Sequence, residues 1–339
     1  MSCQDCSEST QNVHFQVCQN EEEKQSKKNI LILADMEGII GVSDMNEEET
    51  NIKLMQNEIL ITVEELNRLG SAYISVCCIH NNGTGIQLNG VLSLGVTLIV
   101  GIDNLAKEIE NYSYAIMLGF HGKRNSGGAF DHTFRSDILT VHFGTESIGE
   151  VGAYYRWLEL EGVVVLFVSG EGCFYDELTR KICAVHYTSS DNLTNIENLF
   201  SEYDRFRGLL RANLCNSFYV SNNNYNIPNE MVFVRLSNPD TYLLLQEECK
   251  FKVKDDCVVF DSISEFFHKL ISFCTSLNIA AEKIIRKNIK LISEILYMGY
   301  SCEEMYIMLK SFGEMAIQNI SSAERTQMAR VVGLNYEYL

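Results

Sequence analysis

Residues 29–41, NILILADMEGIIG, constrain this chain more than any other stretch. Ile30 to Ala34 is an unbroken apolar run of strand length, the pattern of a strand covered on both faces. It stops at Asp35-Met36-Glu37-Gly38. Side chains alternate along a strand, so acids two residues apart point the same way. Two like charges at the end of a buried strand repel each other, and both resist desolvation. A positive group between them resolves the conflict. A divalent metal is the simplest such group, and Gly38 lets the backbone turn tightly beside it. Solvated acids at an ordinary strand end are the competing reading, and this stretch alone does not decide between the two.

The following residues repeat a strand–helix–strand rhythm. Ile52, Met55, Ile59, Val63 and Leu66 fall at helical spacing within residues 47–69, with glutamates in the first turn and Gly70 as a stop. Tyr73 to Ile79 reads as a second buried strand, which suggests a right-handed parallel βαβ unit. Val96 to Val100, Tyr114 to Leu118, Ile138 to Phe143 and Val163 to Val168 read as further strands, and Ile148 to Glu161 as a helix. This alternation predicts an α/β domain with a mostly parallel sheet flanked by helices over 29–190. A smaller α+β subdomain is expected over 191–276. A wholly helical C-terminal extension follows over 277–339, including a helix from Ala281 to Met298 and capping-box pairs Ser301/Glu304 and Ser321/Glu324. Residues 1–28, ending in the charged run Glu21 to Lys28, read as a disordered tail.

Composition narrows the function. The 339-residue chain carries a net charge of -18, which repels phosphate backbones and argues against nucleic acid as a partner. No apolar run reaches bilayer-spanning length and no signal-peptide segment is evident, so a cytoplasmic protein without membrane contact is expected. Twelve cysteines in such a setting read as free thiols. Cys77, Cys78 and Cys183 lie in apolar runs as small core residues. Cys3, Cys6, His14 and Cys18 have the residue types of a zinc set, but no apolar residues surround them for a small metal domain to fold around, and a tail is the default.

The polar residues that matter stand at strand ends. His80 closes the second buried strand and His121 the Tyr114 strand, while Asp35 and Glu37 close the first. In a parallel sheet these ends share the edge where ligands bind. Glu150 opens a helix that can start beside the same edge. Two histidines and three carboxylates suit one or two divalent metals, with zinc favoured and manganese or cobalt able to fit. Each residue has an ordinary structural reading taken alone; taken together, those readings need four independent elements to converge by accident. His14, His142, His186 and His268 show no such placement.

These motifs resemble the zinc-dependent D-aminopeptidases of the dipeptide-operon type. In that family a strand ending in Asp-Met-Glu-Gly opens the domain, here Asp35 to Gly38. A His closing the second strand matches His80, and a Gly-aromatic-His motif matches Gly119-Phe120-His121. A His some ten residues on, the family's proposed catalytic residue, matches His132, and a Gly-Glu-hydrophobic-Gly motif matches Gly149 to Gly152. The resemblance covers roughly residues 29–275, weakly over the second half. It implies two zinc ions per protomer, with Asp35 bridging, Glu37 and His80 on one, His121 and Glu150 on the other. It further implies a homo-oligomer that removes an N-terminal residue, expected to be a D-amino acid, from small peptide substrates by metal-activated water. The chain departs from the pattern at Cys78, where the family often has an acid. Two other readings stay open: a metal-dependent amidohydrolase acting on a modified or cyclic peptide, and a non-catalytic, metal-stabilised binding or assembly protein.

Overall fold

The computed structural model describes residues 29–70, 73–83, 91, 95–178, 185–188, 196–217 and 230–296. In chain order the elements begin with β1 (Ile30–Ala34), α1 (Glu48–Arg68), β2 (Ile74–Cys78), β3 (Thr97–Val100), α2 (Ile102–Glu108) and β4 (Tyr114–Phe120). They continue with β5 (Ile138–Phe143), β6 (Glu146–Ile148), α3 (Glu150–Leu160), β7 (Val164–Glu171), α4 (Tyr175–Leu178), β8 (Val185–Thr188) and α5 (Ile196–Ser217). The last are β9 (Val232–Leu236), α6 (Asp240–Glu247), β10 (Lys252–Lys254), β11 (Cys257–Phe260) and α7 (Ile263–Leu296). The expected tail, its cysteines and His14, and both capping boxes lie outside the described residues.

The α/β reading of the first half holds. A six-stranded sheet runs β3-β2-β1-β4-β7-β8, and all five of its pairings are parallel. β1 is central and fully buried, as its apolar run requires. Alternate residues serve opposite faces. Ile30, Ile32 and Ala34 pack with Met55, Ile59, Val63 and Leu66 of α1 and Phe206, Leu210 and Leu214 of α5. Leu31 and Leu33 face the other layer, where α2, α3, α7 and a second sheet close the core around Trp157, Phe266 and Phe267.

That second sheet is antiparallel, in the order β10-β11-β9-β5-β6. It draws β5 and β6 from the segment read as part of the parallel domain, so the two sheets interleave in sequence across the expected boundary at 190. The physical sign is in β5 itself. Its buried positions, Ile138, Val141 and Phe143, alternate imperfectly with half-buried ones, the pattern of a one-faced sheet. Likewise α5, expected in the subdomain, covers the parallel sheet beside α1, bound through Arg211 and Arg207 to the buried Glu65. The helices expected at 263–277 and 281–298 are one continuous helix, α7, since no glycine or proline interrupts residues 263–296. Among the described residues no helix is long and apolar enough to cross a membrane. The described cysteines are free thiols.

α1 buries polar groups beside its apolar ones: Asn51, Glu58, Thr62 and Glu65. Glu58 has no solvent exposure. Its Oε1 accepts the Ile40 N–H at 2.6 Å and its Oε2 the Ser169 hydroxyl at 3.3 Å. Burial pushes the Glu58 carboxyl up to about 8, with Glu202 adding to the rise and the Ile40 and Ser169 hydrogen bonds opposing it. Tyr203, also on α5, feels the Glu58 charge in return. An acid whose folded pKa lies above its unfolded one keeps its proton while the unfolded chain loses it, so stability falls as pH rises across that interval. Glu58→Gln removes this slope. Denaturant titrations with chelator present should show the variant gaining on wild type as pH rises from about 5 to about 8. Parallel curves would show that Glu58 ionises normally.

Candidate metal centre

The pairing of β1 with its neighbours brings three strand ends level. Ala34 stands opposite Cys78 on β2 and Leu118 on β4. The residues just beyond then share one edge: Asp35 and Glu37 from β1, His80 from β2, His121 from β4. The chain crosses closely here. A Cβ on Gly38 would overlap the Phe120 carbonyl, and one on Gly119 would overlap the Asp35 carbonyl. Gly119 also has a positive φ of 69° and lies in a register shift of the β4–β7 pair, which re-aims His121 toward Asp35. Glu150 arrives from the other side as the first residue of α3. Its predecessor Gly149 donates its N–H to Glu177.

All six residues singled out in the sequence meet at this edge. Asp35, Glu37, His121 and Glu150 are buried, while His80 and His132 keep partial exposure. His80 Nδ1 lies 2.9 Å from Glu37 Oε1 and 3.8 Å from Asp35 Oδ1. His121 Nε2 lies 3.5 Å from Asp35 Oδ2 and 3.3 Å from Glu150 Oε1. His132 Nε2 is 3.5 Å from the same Glu150 oxygen, and its ring stacks on His121 at 4.2 Å between centroids. Metal-ligating atoms converge in three overlapping sets: Asp35, Glu37 and His80; Asp35, His121 and Glu150; Glu37, His121 and His132.

The electrostatics match this crowding. Burial, then the Glu37 charge, raises Asp35 well above the usual carboxylate range. Burial opposes ionisation of Glu37 and Glu150, yet His80 holds Glu37 far below that range and His121 lowers Glu150. Burial works against charge on His121 as well, but its contacts with Glu150 and Asp35 raise it well above the usual histidine value. Among the six residues of this edge, Asp35 Oδ2 and His121 Nε2 are buried without a hydrogen-bond partner, and they face each other. The His121 tautomer is set from behind, because Nδ1 lies 2.9 Å from the Gly122 carbonyl and donates to it. Nε2 is thereby the nitrogen that faces the carboxylates, and on losing its proton it would offer a cation its lone pair. Lone pairs and carboxylates around one buried point are the donor set of a divalent cation, and the residues fit one.

Comparison with known proteins agrees. A family profile described as D-aminopeptidase matches residues 29–194. Over its α/β unit the chain is similar to the D-aminopeptidase family. That match is to a family of peptide-bond hydrolases. A solved structure, the zinc-dependent D-aminopeptidase DppA from Bacillus subtilis, described as a self-compartmentalizing protease, has the same fold. It aligns with a TM-score of 0.62 at 15% identity, over 74% of this chain and 97% of its own. No curated protein sequence matches.

Several residues around this edge carried no sequence motif. Glu171, at the end of β7, accepts the Ala129 N–H at 3.1 Å and so holds the loop that bears His132. Within that loop His132 Nδ1 donates to the Phe130 carbonyl at 3.0 Å. Phe134 donates its N–H to Glu150 Oε1 at 2.7 Å from a left-handed conformation with φ 59°, which a bulky residue adopts only under constraint. Its ring is wedged against Phe266 and Phe267 of α7 and Tyr154 of α3. Cys78, where the family often has an acid, is buried beside Asp35, and burial with that charge pushes its thiol up to about 12. The backbone crossing makes a direct prediction. Gly38→Ala should lower stability by about 1–3 kcal/mol through the overlap with Phe120. Because that strain falls between Glu37 and the β4 end, zinc affinity should fall too. Unchanged melting and unchanged affinity would show that the strands have room to separate.

Proposed function

We propose that the chain is a zinc aminopeptidase with a dinuclear centre: Glu37 and His80 on one ion, His121 and Glu150 on the other, Asp35 between them. The observation that carries this reading is the facing pair of unpartnered buried atoms, Asp35 Oδ2 and His121 Nε2. Asp35 also belongs to two of the three ligand sets, which is what a bridging carboxylate requires. Imidazole with carboxylate favours zinc. When bound, such ions supply Lewis acidity and lower the pKa of coordinated water.

The chain's own side chains do the remaining work. Glu37 and Glu150 are held ionised by their histidine neighbours, so they are ready for a cation. His132 keeps Nε2 directed at the site, since Nδ1–H is committed to Phe130. That places a basic nitrogen beside the ligands and partly open to solvent, as a group delivering a proton to a leaving amine must be. The stacking on His121 and the Glu171 anchor fix its plane and its loop. The substrate is a short peptide with an N-terminal D-residue, on the strength of the family match and of the activity named for DppA. That protein's description as self-compartmentalizing likewise supports a homo-oligomer.

The test is metal content on protein purified without chelator, together with a panel of D-, L- and cyclic peptides. Wild type should hold two zinc ions per protomer and His121→Ala nearer one. His132→Ala should keep its metal and lose about 10²–10⁴-fold in kcat. Turnover confined to cyclic or modified amides would favour the amidohydrolase reading, to which Cys78 is the pointer. Full metal content with no amide turnover would favour a binding protein, and wild type without zinc would remove the centre.

A further inference from the structure

Behind the centre lies a polar chain that none of the proposed catalytic steps uses. Glu58 reaches from α1 to the N–H of Ile40, three residues beyond Glu37, at 2.6 Å. Its other oxygen meets the Ser169 hydroxyl at 3.3 Å, and Ser169 Oγ accepts the N–H of Gly119 at 3.2 Å. Gly119 stands two residues before His121. Glu58 and Ser169 are both fully buried, and neither touches a proposed ligand. The chain thus joins the loop that ends β1 to the bulged end of β4, the two segments that carry Asp35, Glu37 and His121. It spans four elements, from α1 through the β1 loop to β7 and β4.

We propose that Glu58 and Ser169 are positioning residues for the metal centre, holding the Asp35–Glu37 turn and the His121 turn at the separation a cation needs. This rests on the zinc reading above. The alternative is an ordinary buried hydrogen bond that only adds to stability. Two features favour positioning. The anchored groups are backbone amides of the ligand-bearing turns, not side chains of the core. Moreover, the buried Glu65 of the same helix is paired with Arg207 and Arg211, whereas Glu58 carries a desolvation cost that Leu or Met at this position would avoid. Burial holding Glu58 at about 8 keeps it mostly protonated at neutral pH. In that form it donates to Ser169 Oγ while still accepting from Ile40, and the bridge is unbroken in either protonation state. Glutamine is the neutral isostere of that form.

The experiment uses the full chain and zinc itself, with affinity measured by chelator competition, the cobalt(II) absorption spectrum as a probe of ligand geometry, and melting of the metal-free protein as a control for folding. Ser169→Ala and Glu58→Ala should each lower zinc affinity by about 10–100-fold, the range for residues that orient metal ligands, and should alter the cobalt spectrum. Glu58→Gln should restore both toward wild type. If Glu58→Ala fails to fold, Ser169→Ala, a loss of one hydroxyl, decides alone. Variants that melt lower when metal-free but keep wild-type affinity and spectrum would reduce the chain to a stability element and overturn the proposal. Wild type that takes up no zinc would overturn the centre and this inference together. Wild type that binds zinc while the variants bind it equally would overturn the inference only.

Discussion

Everything at this edge of the molecule follows from putting three carboxylates into one buried volume. Two unit charges a few ångströms apart in a poorly screened interior repel strongly, and each resists desolvation besides. The fold answers with pairs: Glu37 with His80 at 2.9 Å, Glu150 with His121 at 3.3 Å. Backbone donors help, with Met36 N–H directed at both Asp35 and Glu37 and Phe134 N–H at Glu150. Asp35 lies between the pairs, and its pKa is raised where those of Glu37 and Glu150 are lowered. A divalent ion bound there would supply the positive charge that offsets this carboxyl. The level ends of β1, β2 and β4 and the glycines at 38 and 119 all serve to bring these groups that close.

The antiparallel half of the molecule bears on the same constraint from a distance. Its α7 contributes Phe266 and Phe267, which with Tyr154 grip the Phe134 ring. That grip holds Phe134 in a left-handed conformation, and that conformation aims its N–H at Glu150. The loop from β4 to β5 therefore spans both sheets. One end is set by the parallel sheet at His121, the other by the antiparallel sheet at Ile138, and His132 lies between. Interleaving the sheets in sequence is what allows one loop to couple them. A boundary drawn at residue 190 would cut the antiparallel sheet in two.

The ligand set was legible because its chemistry conflicts with its location. An acid pair closing an apolar strand and histidines closing two others are improbable as ordinary packing, and the α/β pattern says which edge they share. The same reasoning has no purchase on Phe134 or Ser169, whose importance lies in a backbone conformation and a single contact. It has little on β5 and β6, because a short strand does not announce its partner and pairing across ninety or so residues leaves no local trace. Glu58 could have been found. It lies on the face of α1 defined by Met55, Ile59 and Leu66, where a charge is out of place. The continuous α7 also left a readable sign, the absence of any glycine or proline across its length.

The candidate ligands on this edge are held by what lies behind them as much as by each other. Glu58 takes the Ile40 amide, Glu171 the Ala129 amide, and Glu177 the Gly149 amide. Each is a buried carboxyl gripping the backbone of a segment that carries a site residue: the turn of Asp35 and Glu37, the loop of His132, the helix start of Glu150. Hydrogen bonds of this kind fix a segment without using its side chain, so ligand side chains remain free to bind. They also make the geometry largely independent of the ion, since none of the gripping carboxyls is itself among the ligand sets. A centre built this way is preorganised. The repulsion among Asp35, Glu37 and Glu150 is then offset by the fold, and the energy released when a cation enters goes into binding it rather than into assembling the site.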